Sequence, residues 1–345
     1  MKEKTTMYTL ASELNMSVTS ISRAFNPNSK LRPDKREYIL SAAEKIGYVP
    51  NNMASRLSRA TISIGILIYG YMDVYDNEII DGIESAYREL YGFKVIYDVH
   101  RMKNSESTME EALGVLDGFL QKRYDGVLIS KLPEKIVRGK INELSEAGIK
   151  VVIFDSDVPD CDRLFVSMNN ISVATKIVSQ LLRMFIKSSS RNIAVFYGCD
   201  QVELTSLFYK HARENGLNTP ISEELIIDEG EVALNENMKR VGEVFERQLD
   251  INGVYVTNAN CIPVCKYIEK NGLANKITLI TSDIFDAMRP YIENGVIDAS
   301  IYQNPFSQGY EAFKNLYYHL AEKKEIPELL LAQPQIIIRS NMSLF

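Results

Sequence analysis

Apolar, β-rich segments alternate with amphipathic helical segments from Ser63 to Tyr302, and this alternation restricts the possible folds more than any other feature. The segments with strand character are Ser63–Ile68, Lys94–Val99, Gly126–Ser130, Lys150–Phe154, Asn192–Phe196, Gly253–Thr257, Lys276–Thr281 and Asp298–Tyr302. The helical segments include Glu78–Leu90, Ser105–Arg123, Glu134–Ala147, Asn170–Ile186, Thr205–Asn215 and Leu234–Gln248. Such alternation predicts an α/β body, built on mostly parallel sheets with helices on both faces.

The α/β body divides near Arg163–Ser167 into two similar series of strands and helices, which predicts two lobes with a cleft between them. Strands such as Val151–Phe154 are continuously apolar, as expected of strands that are buried on both faces. We assign residues 62–165 and 299–332, approximately, to the first Rossmann-like lobe. Residues 166–298 and 333–345 then form the second lobe.

The first fifty residues show a different pattern, of three short helices. They are predicted over Thr9–Asn15, over Ser17–Asn26 and from Pro33 to Gly47, with Ser17 as an N-cap and Pro33 as a first helical residue. The positions expected to face inward are Leu10, Ala11, Leu14, Ile21, Phe25, Ile39, Ala42, Ala43 and Ile46. Two short helices, a tight turn and a third helix are typical of a helix-turn-helix DNA-binding domain, here residues 1–50. A three-helix bundle of another function has the same local pattern.

The charge of the chain is unevenly distributed. Residues 1–60 contain ten Lys and Arg against five Asp and Glu, a net +5, whereas the whole chain carries −6. The remaining residues therefore carry −11. A basic head on an acidic body is what phosphate binding by the head alone requires, although small basic segments also occur in proteins that bind no nucleic acid.

The bulk composition is that of a globular protein with sizeable cores: 46% of the 345 residues are hydrophobic and 24% are charged. No apolar run reaches the roughly 18 residues of a membrane span, and the first residues lack the apolar region of a secretory signal. We therefore expect a cytoplasmic protein without a membrane partner. The four cysteines, Cys161, Cys199, Cys261 and Cys265, are then expected to be free thiols.

No motif in the chain predicts catalysis, a metal or a cofactor. The three histidines, His100, His211 and His319, are far apart and lack metal-ligand spacing. Cys261 and Cys265 are one helical turn apart without a second pair, which favours core packing. There is no Walker loop, no GxGxxG after the first strand and no GxSxG. We expect a binding protein rather than an enzyme.

Two segments of the head carry a family resemblance. Met16–Asn26, with the pattern Met-Ser-x-x-Ser-Ile-Ser-Arg-x-Phe-Asn, resembles the recognition-helix signature of the lactose/galactose repressor family of bacterial transcriptional regulators. Ile46–Asn51, followed by Ala54 and Leu57, resembles the end of that family's third helix and its hinge helix. The body is similar to the family's sensor, and this resemblance implies two lobes of the periplasmic-binding-protein type.

The resemblance implies roles in DNA binding for specific residues. The second helix would lie in the major groove, with Thr19, Ser20 and Arg23 contacting bases. The residues implied to contact the phosphate backbone are Thr6, Tyr8, Ser17, Ser22 and Asn26. Residues 51–61 would form the hinge helix and linker, with Asn52, Ala54 and Leu57 at the minor groove and Leu57 wedged between base pairs. Without the family, Leu57 is better interpreted as a linker residue packed on the body.

Polar residues directly after the predicted strands are the candidates for binding a small molecule, because ligands bind at the carboxyl ends of parallel strands. Together with the resemblance, this rule selects Tyr69, Tyr75, Asp76, Ser130, Asp155, Asn258, Asp283 and Gln303. Carboxylates and amides in such positions suit sugar hydroxyls. Asp and Asn after strands are also routine helix caps and turn formers.

The chain departs from the family's pattern at one position. Leu204 stands where relatives often carry an Arg that binds the ligand, and Leu207 stands at the following Gly. A carboxylated or phosphorylated ligand is then disfavoured, unless Lys131 or Lys210 replaces the Arg.

These observations predict a ligand-responsive, sequence-specific transcriptional regulator, and a repressor is the preferred interpretation. It would bind a pseudo-palindromic operator as a homodimer. It would respond to a small molecule between its lobes, and a sugar is the preferred ligand class. The alternative is a sugar-binding transport or chemoreception protein that does not bind DNA. Whether the ligand induces or co-represses is open.

Overall fold

The computed structural model describes residues 7–25, 29, 31–46, 60–70, 73–103, 108–130, 132, 134–198, 202–226, 231–248, 250–258 and 260–345. These residues fall into two compact units, divided in sequence at Thr61 and Ile62 except that Gly92–Lys94 group with the first unit. No helix among the described residues is both long and apolar enough to cross a membrane.

The first unit consists of three helices around a small apolar core. They are α1 (Met7–Glu13), α2 (Val18–Ala24) and α3 (Pro33–Lys45). The fully buried side chains are Leu10, Ala11, Ile21, Ala24, Ile39 and Ala43. The other predicted inward positions, Leu14, Phe25, Ala42 and Ile46, are half-buried against this core. Helical periodicity therefore predicted the packed face of each helix correctly.

The ends of these helices have local causes. Asn15 follows α1 with a φ of 49°, in the left-handed region that ends a helix. The Ser17 hydroxyl accepts a hydrogen bond from the Ser20 backbone N–H and caps α2, as predicted. Pro33 is the first residue of α3, where its missing N–H costs no hydrogen bond. The predicted end of α3 at Gly47 lies outside the described residues.

The second unit alternates strands and helices. Its strands are β1 (Ile62–Gly70), β2 (Val95–Lys103), β3 (Gly126–Ile129), β4 (Lys150–Phe154), β5 (Phe165–Asn169), β6 (Asn192–Tyr197), β7 (Asn218–Glu224), β8 (Ile251–Val256), β9 (Thr278–Ser282), β10 (Ala299–Tyr302), β11 (Leu329–Ala332) and β12 (Gln335–Ile337). Its helices are α4 (Asp73–Glu89), α5 (Met109–Lys122), α6 (Glu134–Glu146), α7 (Ile171–Phe185), α8 (Val202–Glu214), α9 (Glu231–Arg247), α10 (Ile262–Lys270), α11 (Arg289–Glu293) and α12 (Pro305–Glu322).

The strands of the second unit form two six-stranded sheets. The first has the order β11-β5-β4-β3-β1-β2 and is parallel throughout. The second has the order β12-β10-β9-β8-β6-β7, with β12 antiparallel to β10 and the other pairs parallel. Each sheet is the core of one lobe, so the predicted pair of parallel-sheet lobes is confirmed.

The chain crosses between the lobes later than the sequence predicted. The boundary predicted at residues 165 and 166 would divide β5, but β5 pairs with β4 and belongs wholly to the first sheet. The boundary predicted at residues 298 and 299 placed β10 in the first lobe, but β10 pairs with β9 in the second sheet. The crossings therefore follow Asn169, Tyr302 and Ala332, because strand pairing rather than local pattern determines lobe membership.

Two glycines allow α4 and α12 to pack closely in the first lobe. A Cβ at Gly309 of α12 would lie 2.2 Å from the Ile79 carbonyl oxygen, and one at Gly82 of α4 would lie 2.0 Å from that of Phe306. Each glycine thus faces the backbone of the other helix, which cannot yield as a flexible side chain can. This contact fixes the start of α12 directly after the second crossing.

Gly309→Ala is therefore expected to destabilise the protein by about 1–3 kcal/mol, because the added methyl group overpacks a backbone contact. Gly139→Ala in α6 is the matched control, since a Cβ there meets no atom within 4 Å. That control should be neutral or stabilising by up to about 1 kcal/mol through helix propensity. Thermal unfolding of both variants measures the difference, and equal effects would show that the helices are not in close contact.

Candidate functional site

The site contains two aspartates, each of which is the first residue after a parallel strand. Asp155 follows β4 in the first lobe with a φ of 66°, and Asp283 follows β9 in the second lobe with a φ of 61°. Non-glycine residues rarely adopt this left-handed region, and Asp and Asn are among the most frequent exceptions. Both carboxylates therefore stand at the carboxyl ends of strands, where parallel sheets bind ligands.

The Asp155 carboxylate is joined to the second crossing through a tyrosine. Tyr75 on the first turn of α4 donates its hydroxyl proton to Asp155 Oδ1 at 2.7 Å. Gln308 Nε2 in turn donates to the Tyr75 hydroxyl at 3.1 Å and lies 3.3 Å from the Gln303 carbonyl oxygen. A chain of polar contacts thus runs from the end of β4 to the start of α12.

The Asp283 carboxylate is held by the residue that follows β10. Gln303 donates its backbone N–H to Asp283 Oδ1 at 2.8 Å and its Nε2 to Oδ2 at 2.7 Å. The Oε1 of the same Gln303 amide accepts a hydrogen bond from Asn169 at the end of β5. Asp283 is therefore positioned by two donors of one residue, and that residue is oriented by the other lobe.

Six side chains form one connected set, which we call the strand-end network: Tyr75, Asp155, Asn169, Asp283, Gln303 and Gln308. Four of these, Tyr75, Asp155, Asp283 and Gln303, were predicted from the sequence as candidate ligand-binding residues. The strand-end network draws on the ends of both sheets, so the structure brings these four together as the strand-end rule requires.

Asp76 lies beside the strand-end network in an exceptionally close contact. It is 5% exposed, and a Cβ at Gly70 would fall 1.6 Å from its Oδ2, so any larger residue at the end of β1 would displace the Asp76 carboxylate. Arg101 of β2 bonds Asp73 at 2.6 Å and Asn77 at 2.7 Å. Its Nη2 lies 3.5 Å from Asp76 Oδ2, which accepts no hydrogen bond from the described residues.

Burial governs the titration of the acidic groups. It raises the pKa of the Asp76 carboxyl to about 7, with Arg101 opposing this shift and Asp155 adding to it. Burial also raises the pKa of Asp283 to about 7, although the hydrogen bonds from Gln303 favour the charged form. Glu78 and Asp155 add to that rise through charge repulsion. The site is therefore acidic, with like charges close enough to disfavour one another.

Three further candidates lie at strand ends but outside the strand-end network. Asn258, after β8, is 6% exposed; its Oδ1 accepts the Asn260 N–H at 3.1 Å, while its Nδ2 has no hydrogen-bond partner among the described residues. The Ser130 hydroxyl accepts the Tyr69 backbone N–H at 2.6 Å and so joins the ends of β1 and β3. The Tyr69 side chain packs in the apolar core of the first lobe.

Among the described residues, Leu204 and Lys210 do not supply a cation to the strand-end network. Leu204 is buried in the apolar core of the second lobe, against α7 and β6. Lys210 is exposed on α8, in a surface depression with Tyr209 and Arg213, and Lys131 lies outside the described residues. The departure at Leu204 therefore places an apolar side chain in the core of the second lobe.

The strand-end rule missed three polar residues that position the site. Asn169 ends β5, a strand absent from the predicted set, and Gln308 lies inside α12 rather than after a strand. Arg101 lies within β2, which extends to Lys103 instead of ending at Val99. The rule cannot select Arg101, because it lies two residues before the end of β2, and Gln308 has no local signal. Among the described residues, no group of three or more His, Cys, Asp or Glu side chains could hold a metal ion.

Some of the predicted DNA-contacting residues lie in the part of the first unit that the structure describes. Thr19, Ser22 and Arg23 are exposed on α2 at helical spacings of three and four residues, so they share one face. Tyr8 is 75% exposed, and the Ser20 hydroxyl lies 3.0 Å from that of Ser17. The remaining candidates, Thr6, Asn26, Asn52, Ala54 and Leu57, lie outside the described residues.

Comparison with known proteins identifies similar chains. A family model described as a periplasmic binding protein domain matches residues 64–324. Catabolite control protein A of Priestia megaterium is 25% identical over 257 residues, 73% of this chain and 73% of that protein. The HTH-type transcriptional regulator pepR1 of Lactobacillus delbrueckii subsp. lactis is 28% identical over 137 residues, 39% of each chain. GanP, a glucose-galactose binding protein from Geobacillus stearothermophilus, has a TM-score of 0.68 at 20% identity, covering 82% of this chain and 99% of that one.

The raised pKa of Asp76 predicts a pH-dependent effect of Asp76→Asn. Below about pH 4 both folded and unfolded chains hold the proton, whereas between pH 4 and the folded pKa of about 7 only the folded chain does. Stability contributed by this proton is lost as the pH rises through 7. Because Asn stays neutral, the variant should gain roughly 1–3 kcal/mol relative to the native protein between pH 4.5 and pH 8.

Thermal unfolding at the two pH values measures this gain. Asp157→Asn is the control, because that carboxylate pairs with Arg163 at 2.9 Å on the surface, and its variant should show no gain with rising pH. A stability difference for Asp76→Asn that is the same at both pH values would contradict the prediction.

Proposed function

The chain belongs to the family of periplasmic binding protein domains, and from this premise we propose that its two-lobe unit binds a sugar at the strand-end network. The observation that carries the proposal is that carboxylates and amides from the ends of both sheets meet there. Each sugar hydroxyl donates one hydrogen bond and accepts others, which carboxylates and amides together satisfy. The sugar named in the description of GanP supports the same ligand class.

We propose that this unit binds its ligand without transforming it. Tyr75 donates to Asp155, and Gln303 donates twice to Asp283, so these carboxylates serve as oriented acceptors. A general acid or base must reach a reacting group on the substrate, and no nucleophile with an adjacent base is among the members of the strand-end network. Product analysis of a bound sugar after prolonged incubation checks this proposal, and a changed sugar would refute it.

Sugar binding predicts a ligand-induced rise in melting temperature that depends on Asp155. A ligand at one hundred times its Kd stabilises the folded state by about 2.7 kcal/mol. Asp155→Ala removes the acceptor of the Tyr75 hydroxyl and should abolish the rise for every sugar that stabilises the native protein. The measurement is thermal unfolding across a panel of neutral, amino, acidic and phosphorylated sugars.

Asp157→Ala is the matched control for that experiment. Its carboxylate lies two residues away, on the surface, in an ion pair with Arg163. This variant should keep the ligand-induced rise. If Asp155→Ala keeps it as well, the ligand binds elsewhere; if no sugar stabilises the native protein, sugar binding itself is wrong.

We further propose that the first unit is a helix-turn-helix DNA-binding domain, which makes the chain a ligand-responsive transcriptional regulator. Support comes from the basic charge of the head, from the exposed face of Thr19, Ser22 and Arg23 on α2, and from the names of the regulator relatives. A homodimer on a pseudo-palindromic operator would place two α2 helices in successive major grooves. Ligand binding would change operator affinity by a coupling free energy of typically 1–3 kcal/mol.

The second candidate is a sugar-binding transport or chemoreception protein that does not bind DNA. The similarity to GanP over 82% of this chain favours it, because that similarity covers the two-lobe unit and concerns a protein described only as sugar-binding. Both candidates require the same ligand site. They differ only in whether the first unit selects a DNA sequence.

Selection of bound duplexes from a random pool by the purified protein distinguishes the candidates. The regulator should enrich an inverted repeat, and Arg23→Ala should weaken binding to it by about 1–3 kcal/mol, because an arginine pair to a guanine edge is lost. Arg32→Ala is the control, since Arg32 is exposed and pairs with Asp34 at 2.7 Å. That variant should leave the ranking of duplexes unchanged. No enrichment of any sequence would favour the second candidate.

A further inference from the structure

Among the described residues, more carboxyl groups than cations act on the acidic side chains in and beside the strand-end network. Asp155 raises the pKa of both Asp76 and Asp283 through charge repulsion, and Glu78 adds to that of Asp283. Four carboxyl groups therefore act on one another within this region, from both lobes: Asp76, Glu78, Asp155 and Asp283.

The two guanidinium groups that act on these carboxyls are engaged by other partners. Arg101 donates hydrogen bonds to Asp73 and Asn77. Of the four carboxyl groups it approaches Asp76, with its Nη2 3.5 Å from Oδ2. Arg289 bonds Asp286 at 3.2 Å and the Met342 carbonyl oxygen at 3.3 Å. Each of these cations has a carboxylate of its own, so the region as a whole stays acidic.

Two buried acceptors at the strand-end network lack a donor. Asp76 Oδ2 and Gln308 Oε1 accept no hydrogen bond from the described residues, although Asp76 is 5% exposed and Gln308 is fully buried. A buried acceptor without a donor costs about 1–3 kcal/mol, so sites of this kind are completed by a ligand or a water. The two acceptors require hydrogen-bond donors, and the carboxyl groups around them favour a cation.

We propose that the ligand is an amino sugar whose free amine is protonated and binds among these carboxyl groups. This inference rests on the proposed sugar binding. An ammonium group offers three donors and no acceptor, which suits Asp76 Oδ2 and Gln308 Oε1, two acceptors without a hydrogen bond from the described residues. The sugar ring supplies the opposite chemistry, because the buried Nδ2 of Asn258 has no acceptor among the described residues.

The charge also excludes ligands of the opposite sign. A uronic acid or a sugar phosphate would bring an anion next to carboxyl groups that already repel one another. With Leu204 in the apolar core, the position expected for an arginine clamp offers no compensation. The parent sugar, which carries a hydroxyl of nearly the same size in place of the amine, separates the contribution of charge from that of fit. The N-acetylated form also loses the charge but adds an acetyl group.

Calorimetric titration of the full-length protein at pH 7 tests the proposal with three hexoses, glucose, galactose and mannose. Each is compared with its 2-amino form, its N-acetylated form and its 6-phosphate. For at least one hexose, the amino form should bind at least tenfold more tightly than the parent sugar. N-acetylation should remove that advantage, and the phosphate should not bind.

Variants extend the same titrations. Asp76→Asn should reduce the ratio of amino-sugar to neutral-sugar affinity at least several-fold. Asp117→Asn, at a surface ion pair with Lys140, should leave the ratio unchanged. If a parent hexose or a sugar phosphate binds as tightly as the amino form, the proposed recognition of an amine is wrong, although the proposed sugar binding still holds. A protein that binds none of the panel would overturn the proposed sugar site as well.

Discussion

Burial of carboxyl groups at the ends of parallel strands is the constraint on which this site depends. Removing an ionised carboxylate from water is costly unless donors replace the water, and the structure provides those donors unequally. Asp283 accepts two hydrogen bonds from Gln303, and Asp155 accepts the Tyr75 hydroxyl proton. No described residue donates a hydrogen bond to Asp76 Oδ2, which Arg101 Nη2 approaches to 3.5 Å. The site therefore carries an unfavourable charge that a bound ligand can compensate.

The residues that hold Asp283 in place are also those at which the chain changes lobes. Asn169 is the last residue of β5 before the first crossing, and Gln303 follows β10 at the second. Asn304 then adopts a φ of 60° and caps α12, whose Gly309 packs against the α4 backbone. A ligand that contacts Gln303 or Asp283 thus acts directly on the connections between lobes. Ligand binding can therefore change the relative positions of the lobes through these few residues.

The sequence predicted the buried part of the fold well and its borders less well. Strands such as β4 are recognisable because both faces are apolar. The edge strand β7 was missed because its residues alternate between exposed and half-buried and include Pro and two Glu. The edge strands β11 and β12 were missed as well, since each is short and largely exposed. Membership of β5 and β10 in their sheets depends on pairing with distant strands, which no local pattern encodes.

The same distinction applies to the candidate site. A rule based on strand ends found Asp155, Asp283 and Gln303, because a strand end is a local feature of the sequence. It selected Tyr69 too, whose side chain turns out to belong to the apolar core. Gln308 escaped the rule, since its contribution depends on where α12 begins and on the Tyr75 hydroxyl that its amide reaches.

Electrostatics connects the proposed ligand with the arrangement of the lobes. Burial is the main cause of the raised pKa of Asp283 in the second lobe, and Glu78 and Asp155 of the first lobe add to it through charge repulsion across the lobes. Protonation at a pKa of about 7 relieves this repulsion in the absence of ligand. An ammonium group bound among the same carboxylates would take the place of these protons. Its positive charge would attract the carboxylates of both lobes. A cationic ligand would therefore hold the lobes together more strongly than a neutral sugar with the same hydroxyl groups, because only the cation removes the charge penalty that the fold has built into the site.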